Sequence, residues 1–128
     1  MENAVKGIDF IVEVNGVQIG GQQGATLNRS KEVIEATTKD SNGWKESVAG
    51  IKEWGIDADG LVIMDDAGYA AIEDAFMNDK KVEVALVTPA GTRYKGEAIV
   101  TDFPLEAGFE DMATYSLTLE GSGELSLA

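Results

Sequence analysis

Carboxylates are the side chains in this sequence most able to suggest chemistry. Acidic residues outnumber basic ones 23 to 10, giving a net charge of −13, and the chain has neither cysteine nor histidine. That removes disulfides, thiolate and imidazole metal ligands, cysteine nucleophiles and every histidine-based acid–base mechanism. Asp57-Ala58-Asp59-Gly60 has the spacing of a calcium loop. An EF-hand would need a further acid two residues before Asp57 and a closing Glu, and Gly55 and Asp66 stand there instead. The doublets Asp65-Asp66, Glu73-Asp74 and Glu110-Asp111 would resemble a glycosidase pair only if two carboxyls stood about 5–10 Å apart in a cleft, one with a raised pKa. In a chain this acidic, neighbouring acids arise by chance, and helix capping and a solvated face account for those near the helix. Gly20-Gly21-Gln22-Gln23-Gly24 lacks the Lys-Ser/Thr ending of a phosphate loop and reads as a turn. The expectation is no catalytic residue, no metal and no cofactor.

The elements that would position these residues are mostly strands. Ile8, Phe10, Val12 and Val14 recur every second residue, which marks a strand with one buried face. Asn15-Gly16 tolerates positive φ and predicts a two-residue hairpin turn into Val17-Gln18-Ile19. Short strands are expected at Ala25–Asn28 and Glu32–Ala36. Trp54, Ile56, Ala58 and Val62 then share one face, with Glu53, Asp57 and Asp59 on the other. Asp65-Asp66 opens the one convincing helix, about residues 66–78, held to the sheet through Tyr69, Ile72 and Phe76 and ended by Asn78-Asp79. Val82, Val84 and Leu86 alternate before a turn at Pro89–Thr92, and Tyr94–Phe103 returns with a bulge expected at Gly96. Tyr115, Leu117 and Leu119 alternate with Thr114, Ser116 and Thr118 in the last strong strand. Met64, Met77 and Met112 are expected to fill core or interface gaps. The fold class is mostly β, a sandwich or barrel-like single domain over residues 1–128 with one flanking helix.

Residues 37–50 break the pattern. Thr37 to Gly43 is polar and turn-prone, and neither strand nor helix periodicity survives there. A loop this long within a compact domain most often binds, assembles or is disordered, so it reads as a projecting loop. Trp44 within it either tucks against its own domain or anchors a partner. Charge is also uneven. Residues 57–128 carry 15 acids and 4 bases, whereas residues 1–56 carry 8 and 6. A compact acidic body repels nucleic acid, so specific DNA or RNA binding is not expected. No apolar run approaches the roughly 20 residues of a membrane span, and Met1-Glu2-Asn3 starts no signal sequence, so synthesis in the cytosol is expected without membrane association.

Several motifs in register resemble a known family. Ala25-Thr26-Leu27-Asn28-Arg29-Ser30 is followed by Ala36-Thr37-Thr38-Lys39-Asp40-Ser41-Asn42-Gly43-Trp44-Lys45-Glu46-Ser47. Trp54–Gly60, Ile72–Phe76, Thr101-Asp102-Phe103-Pro104 and Ala113–Ser116 then follow in order. Together, over about Gly7 to Gly123, they resemble the major tail protein, or tail tube protein, of long non-contractile-tailed phages of Gram-positive bacteria. The resemblance implies a β-sandwich tube subunit in the virion tail, assembled in the host cytoplasm. It implies stacked hexameric rings around a tape-measure protein, meeting tail-tip and terminator proteins, with DNA later passing through the bore without specific binding. The family's long loop maps onto Lys39, Asp40, Ser41, Asn42, Gly43, Trp44 and Lys45 as an inter-subunit or inter-ring contact. Family bores are electronegative, and Asp57, Asp59, Glu83 and Glu97, on polar strand faces, are the candidate lumen acids. A tail terminator or distal ring protein, and a carbohydrate-binding β-sandwich with Trp44 stacked on a sugar, remain the alternative readings.

Overall fold

The computed structural model describes residues 10–63, 65–108 and 112–127. Expectations for Ile8, Met64 and Glu110-Asp111 lie outside them. The strands are β1 (Ile11–Val14), β2 (Val17–Gln18), β3 (Gln22–Glu35) and β4 (Ser47–Leu61), then, after helix α1 (Ala67–Met77), β5 (Lys81–Val87), β6 (Arg93–Asp102), β7 (Leu105–Glu106), β8 (Thr114–Gly121) and β9 (Ser126–Leu127). All belong to one nine-stranded antiparallel sheet of order β2-β1-β5-β6-β8-β4-β3, with β7 beside β8 and β9 beside β6.

The β1–β2 turn forms where expected. Asn15 and Gly16 sit at φ 51° and 82°, and Val14 pairs with Val17 across them. Among the described residues the sheet curls but does not close by backbone pairing. At its seam the Gln22 side chain does the joining: its Oε1 accepts from the Val12 amide at 2.9 Å, and its Nε2 donates to the carbonyls of Val12 and Ile19 at 2.8 and 2.7 Å. One side chain thus satisfies the Val12 amide of β1 and shares the Val12 carbonyl with the Ile19 amide, which donates to it at 3.3 Å.

The concave face holds the core. Val12, Val14, Ile56, Val82, Val84, Leu117 and Leu119 are almost wholly buried there, and burial of each such side chain contributes about 1.5–3 kcal/mol. Tyr69, Phe103 and Tyr115 form an aromatic triangle with ring centroids 5.2–6.0 Å apart. Trp54 lies between Gly96 and Gly121, where any Cβ would strike its indole, and its Nε1 donates to the Gly123 carbonyl at 3.0 Å.

Helix α1 starts at Asp66, whose Oδ2 accepts from the amides of Tyr69 at 2.8 Å and Gly20 at 3.1 Å. The same carboxylate therefore caps the helix and ties it to the turn before β3. Its buried residues are Gly68, Ile72 and Ala75; of the expected contacts Ile72 is buried and Tyr69, half-buried, packs on Tyr115 of the sheet, whereas Phe76 is 43% exposed. The reason is backbone approach. A Cβ on Gly68 would stand 2.8 Å from the Ile19 Cα, so the helix settles on its smallest residues.

Three further expectations change. No bulge occurs at Gly96, where β5 and β6 pair without interruption. The register shifts instead between Val100 and Asp102, and the glycine serves Trp54. The short strands at Ala25–Asn28 and Glu32–Ala36 are parts of the single strand β3, and Ser47–Gly50, expected in the loop, belong to β4. Both strands leave the sheet and pair only with each other, so no buried face forces their residues to alternate. Met77 and Met112 are 71% and 72% exposed, so neither fills the core of the single chain.

Candidate functional site

Strand β4 pairs with β8 only from Gly55 to Leu61, while β3 and β4 stay paired out to Glu35 and Ser47. The excess is a two-stranded ribbon that reaches about 23 Å past Trp54. Its tip is built rather than loose. Ala36 donates to Glu46 at 2.9 Å, and the Thr37 hydroxyl accepts from the Glu46 amide at 2.9 Å. Thr38 and Ser41 cap one another around the short 3-10 turn Lys39–Ser41, and the Trp44 amide donates to the Ser41 carbonyl at 3.0 Å. Asn42 and Gly43 turn the chain at φ 54° and 83°. Of the arm residues named from sequence, Ser41 is buried, whereas Lys39, Asp40, Asn42, Gly43 and Lys45 are exposed. Trp44 is 76% exposed, which settles its orientation: it does not tuck against its own body.

The ribbon also exposes aliphatic residues that the sequence reading did not single out. Ile34 stands opposite Val48, and the two are 50% and 52% exposed; nearby Ile51 is 69% exposed. A register shift between Lys31 and Val33 gives β4 one extra residue there, and a Cβ on Gly50 would stand 3.2 Å from the Ile34 side chain. Val33-Ile34, Val48 and Ile51, aliphatic residues among polar ones, were the available signal. Among the described residues strand β3 is paired along one edge only, with a long edge of backbone donors and acceptors beyond Gln22 on its other side.

The four candidate lumen acids lie on the face opposite the core, and all are exposed. Glu83 and Glu97 are direct cross-strand neighbours on β5 and β6, with the Lys95 ammonium 3.9 Å from Glu83. Asp57 accepts from the Asn28 side chain at 2.7 Å, and Asp59 lies two residues on along β4. Glu120 on β8, paired with Ile99 and Gly55, stands between the two groups. The outward phase of Ser116 and Thr118 already pointed to it.

Among the described residues no group of three or more acids is placed to hold a metal ion, and no helix is long and apolar enough to cross a membrane. Burial, followed by the charges of Asp66 and Asp59, pushes the Tyr115 phenol up to about 12, and among the described residues its hydroxyl has no hydrogen-bond partner. Hydrogen bonds from Lys80 and Asn78 lower the Asp74 carboxyl from its usual value. Between the ribbon root and the body runs an open cleft of about 480 Å³, lined by Arg29, Lys31, Lys52, Trp54, Tyr94 and Leu125 among others.

A curled antiparallel sheet, one capped helix and a long ribbon together make the fold of tail and injection tube subunits. The chain aligns with a protein of the native gene transfer agent virion at a TM-score of 0.88 and 20% identity, covering 98% of this chain and 99% of that one. It aligns with the SPP1 tail tube at 0.79 and 19%, covering 95% of this chain and 78% of that one. A protein of an extracellular contractile injection system sheath–tube complex aligns at 0.67 and 17%, covering 100% of this chain and 93% of that one. The chain belongs to the phage tail tube protein family, whose model matches residues 4–127. It is a structural subunit of a tail tube, a component of the virion tail. Comparison with the curated proteins gives no match.

Proposed function

We propose that this chain, acting as one tube domain, closes into hexameric rings that stack into a hollow tube, and that DNA crosses its bore during ejection. The ribbon carries this reading: it exposes Ile34, Val48, Ile51 and Trp44 on an arm whose strands pair only with each other. Free in water, such an apolar arm is a liability; against a neighbouring copy it is an anchor. The open β3 edge offers backbone pairing to the next subunit in the ring. A six-fold symmetric tail of an empty gene transfer agent particle contains a protein of the same fold, at a TM-score of 0.87 and 21% identity, which supports the ring number.

In this reading Lys39 to Lys45, with Trp44 foremost, lock a subunit to its neighbour or to the next ring. Asp57, Asp59, Glu83 and Glu97, joined by Glu120, give the bore a negative wall that DNA does not adhere to. A tape-measure protein fills the bore during assembly in the host cytoplasm, and tail-tip and terminator proteins bound the tube. No residue acts as a catalyst.

Light scattering with negative-stain electron microscopy over a wide concentration range, alone and with a tail-tip complex, tests the proposal. Hollow tubes are the expected product. Rings that never stack would reassign the chain to a terminator or distal ring, and a monomer under every condition would overturn the reading.

A further inference from the structure

Three cations meet at the root of the ribbon. Lys31 and Lys52 are direct cross-strand partners, Arg29 stands opposite Trp54 on the same pair of strands, and all three line the 480 Å³ cleft. The Arg29 guanidinium lies 5.4 Å from the centre of the Tyr94 ring, which fixes its position. Among the described residues, the ion pairs of this protein use Lys80, Arg93 and Lys95, and none of the three cleft cations. Glu53 and Glu124 share the cleft wall without bonding them. Two ammonium groups directly opposite on adjacent strands repel each other, so the free chain holds them in an unfavourable pairing that an incoming carboxylate would relieve. The floor is apolar, from Trp54, Tyr94 and Leu125. An occupant must therefore bring carboxylates beside an aliphatic side chain.

The chain carries such a segment at the far end of β6. Asp102 and Glu106 are exposed and flank Leu105, which is 55% exposed, and neither acid is in an ion pair among the described residues. Tyr94 and Asp102 lie near opposite ends of β6, about 26 Å apart for eight extended residues. We propose that the cleft of one copy receives the acidic segment Asp102–Glu106 of the next, which runs from the end of β6 into β7, Arg29, Lys31 and Lys52 taking its carboxylates and the aromatic floor taking Leu105. Two unlike surfaces at opposite ends of a molecule make a heterologous contact, which joins copies head to tail, around a ring or from ring to ring, instead of closing a pair. The contact rests on the tube reading and names one surface by which neighbouring subunits of the tube meet.

The test uses two charge-reversed proteins, Lys31→Glu with Lys52→Glu, and Asp102→Lys with Glu106→Lys. All four sites are exposed, and circular dichroism with urea unfolding verifies that each monomer is folded. Each variant alone should need at least about tenfold more protein to form tubes. An equimolar mixture should return to the wild-type threshold, because each variant's cleft then faces 102–106 segments of opposite charge. Either variant assembling as wild type, or a mixture no better than its parts, overturns the contact and leaves the tube reading standing. A wild-type chain that never assembles overturns the tube reading itself. Should a reversed variant be unfolded, Lys31→Gln with Lys52→Gln and Asp102→Asn with Glu106→Gln replace the reversed proteins, each pair expected to raise the threshold about threefold. An unchanged threshold in either neutral variant overturns the contact.

Discussion

Trp54 shows how closely single residues are fitted. The indole occupies a slot that exists because positions 96 and 121 have no side chain. Gly121→Ala should cost about 1–3 kcal/mol by forcing the ring or the strand aside. In a Trp44→Phe background, urea unfolding would show a lower midpoint, and Trp54 emission would shift to the red; an unchanged midpoint would mean that the slot is not tight. Tyr115 offers a pH-dependent counterpart. Its phenol is held neutral up to about 12, above its ordinary value of 10.0, so its contribution to stability is intact below pH 10 and is lost as pH climbs towards 12. Tyr115→Phe should remove that alkaline loss. It should also leave stability at pH 7 equal to or about 1 kcal/mol above wild type, because a buried hydroxyl without a partner among the described residues disappears. Thermal melts at pH 7 and pH 11 compare the two, and a variant clearly less stable at pH 7 would show that the hydroxyl is bonded.

Among the elements, the ribbon invites the sharpest experiment. Replacing residues 37–45 by Asn-Gly would close it with a two-residue turn between Ala36 and Glu46, which already pair. The monomer should melt within a few degrees of wild type yet fail to elongate into tubes, as microscopy would reveal; normal tubes would remove the tip from assembly. The ribbon is also where the sequence is hardest to read. Ile56, Ala58, Val82, Val84, Leu117 and Leu119 announce their strands because one face of each is buried. Residues 29–35 and 47–53 have water on both sides, so backbone pairing continues without the alternation that reveals it. The helix was legible through Asp66 and Ile72, but its rotation was not, since Gly68 adds no hydrophobicity and matters only through how near it lets Ile19 come. The arm could be placed from its composition, its outward Trp44 could not, and the cations of the cleft come together only through the pairing of β3 with β4.

For the whole molecule, charge is the dominant quantity. Copies bearing −13 each repel until salt screens them. Self-association followed by light scattering should therefore be faster in about 0.15 M than in 0.01 M sodium chloride, as the screening length falls from roughly 30 to 8 Å. The opposite trend would mean that attraction between unlike patches outweighs net repulsion even at long range. The charge is not centred on the mass. Arg29, Lys31 and Lys52 gather at the ribbon root, while the acids of β4, β5, β6 and β8 cover the body. Such a molecule has a permanent electric dipole, and in the field of a growing assembly it experiences a torque before any atoms touch. A subunit arriving sideways is turned during its last nanometre of diffusion, so fewer encounters are wasted on wrong orientations.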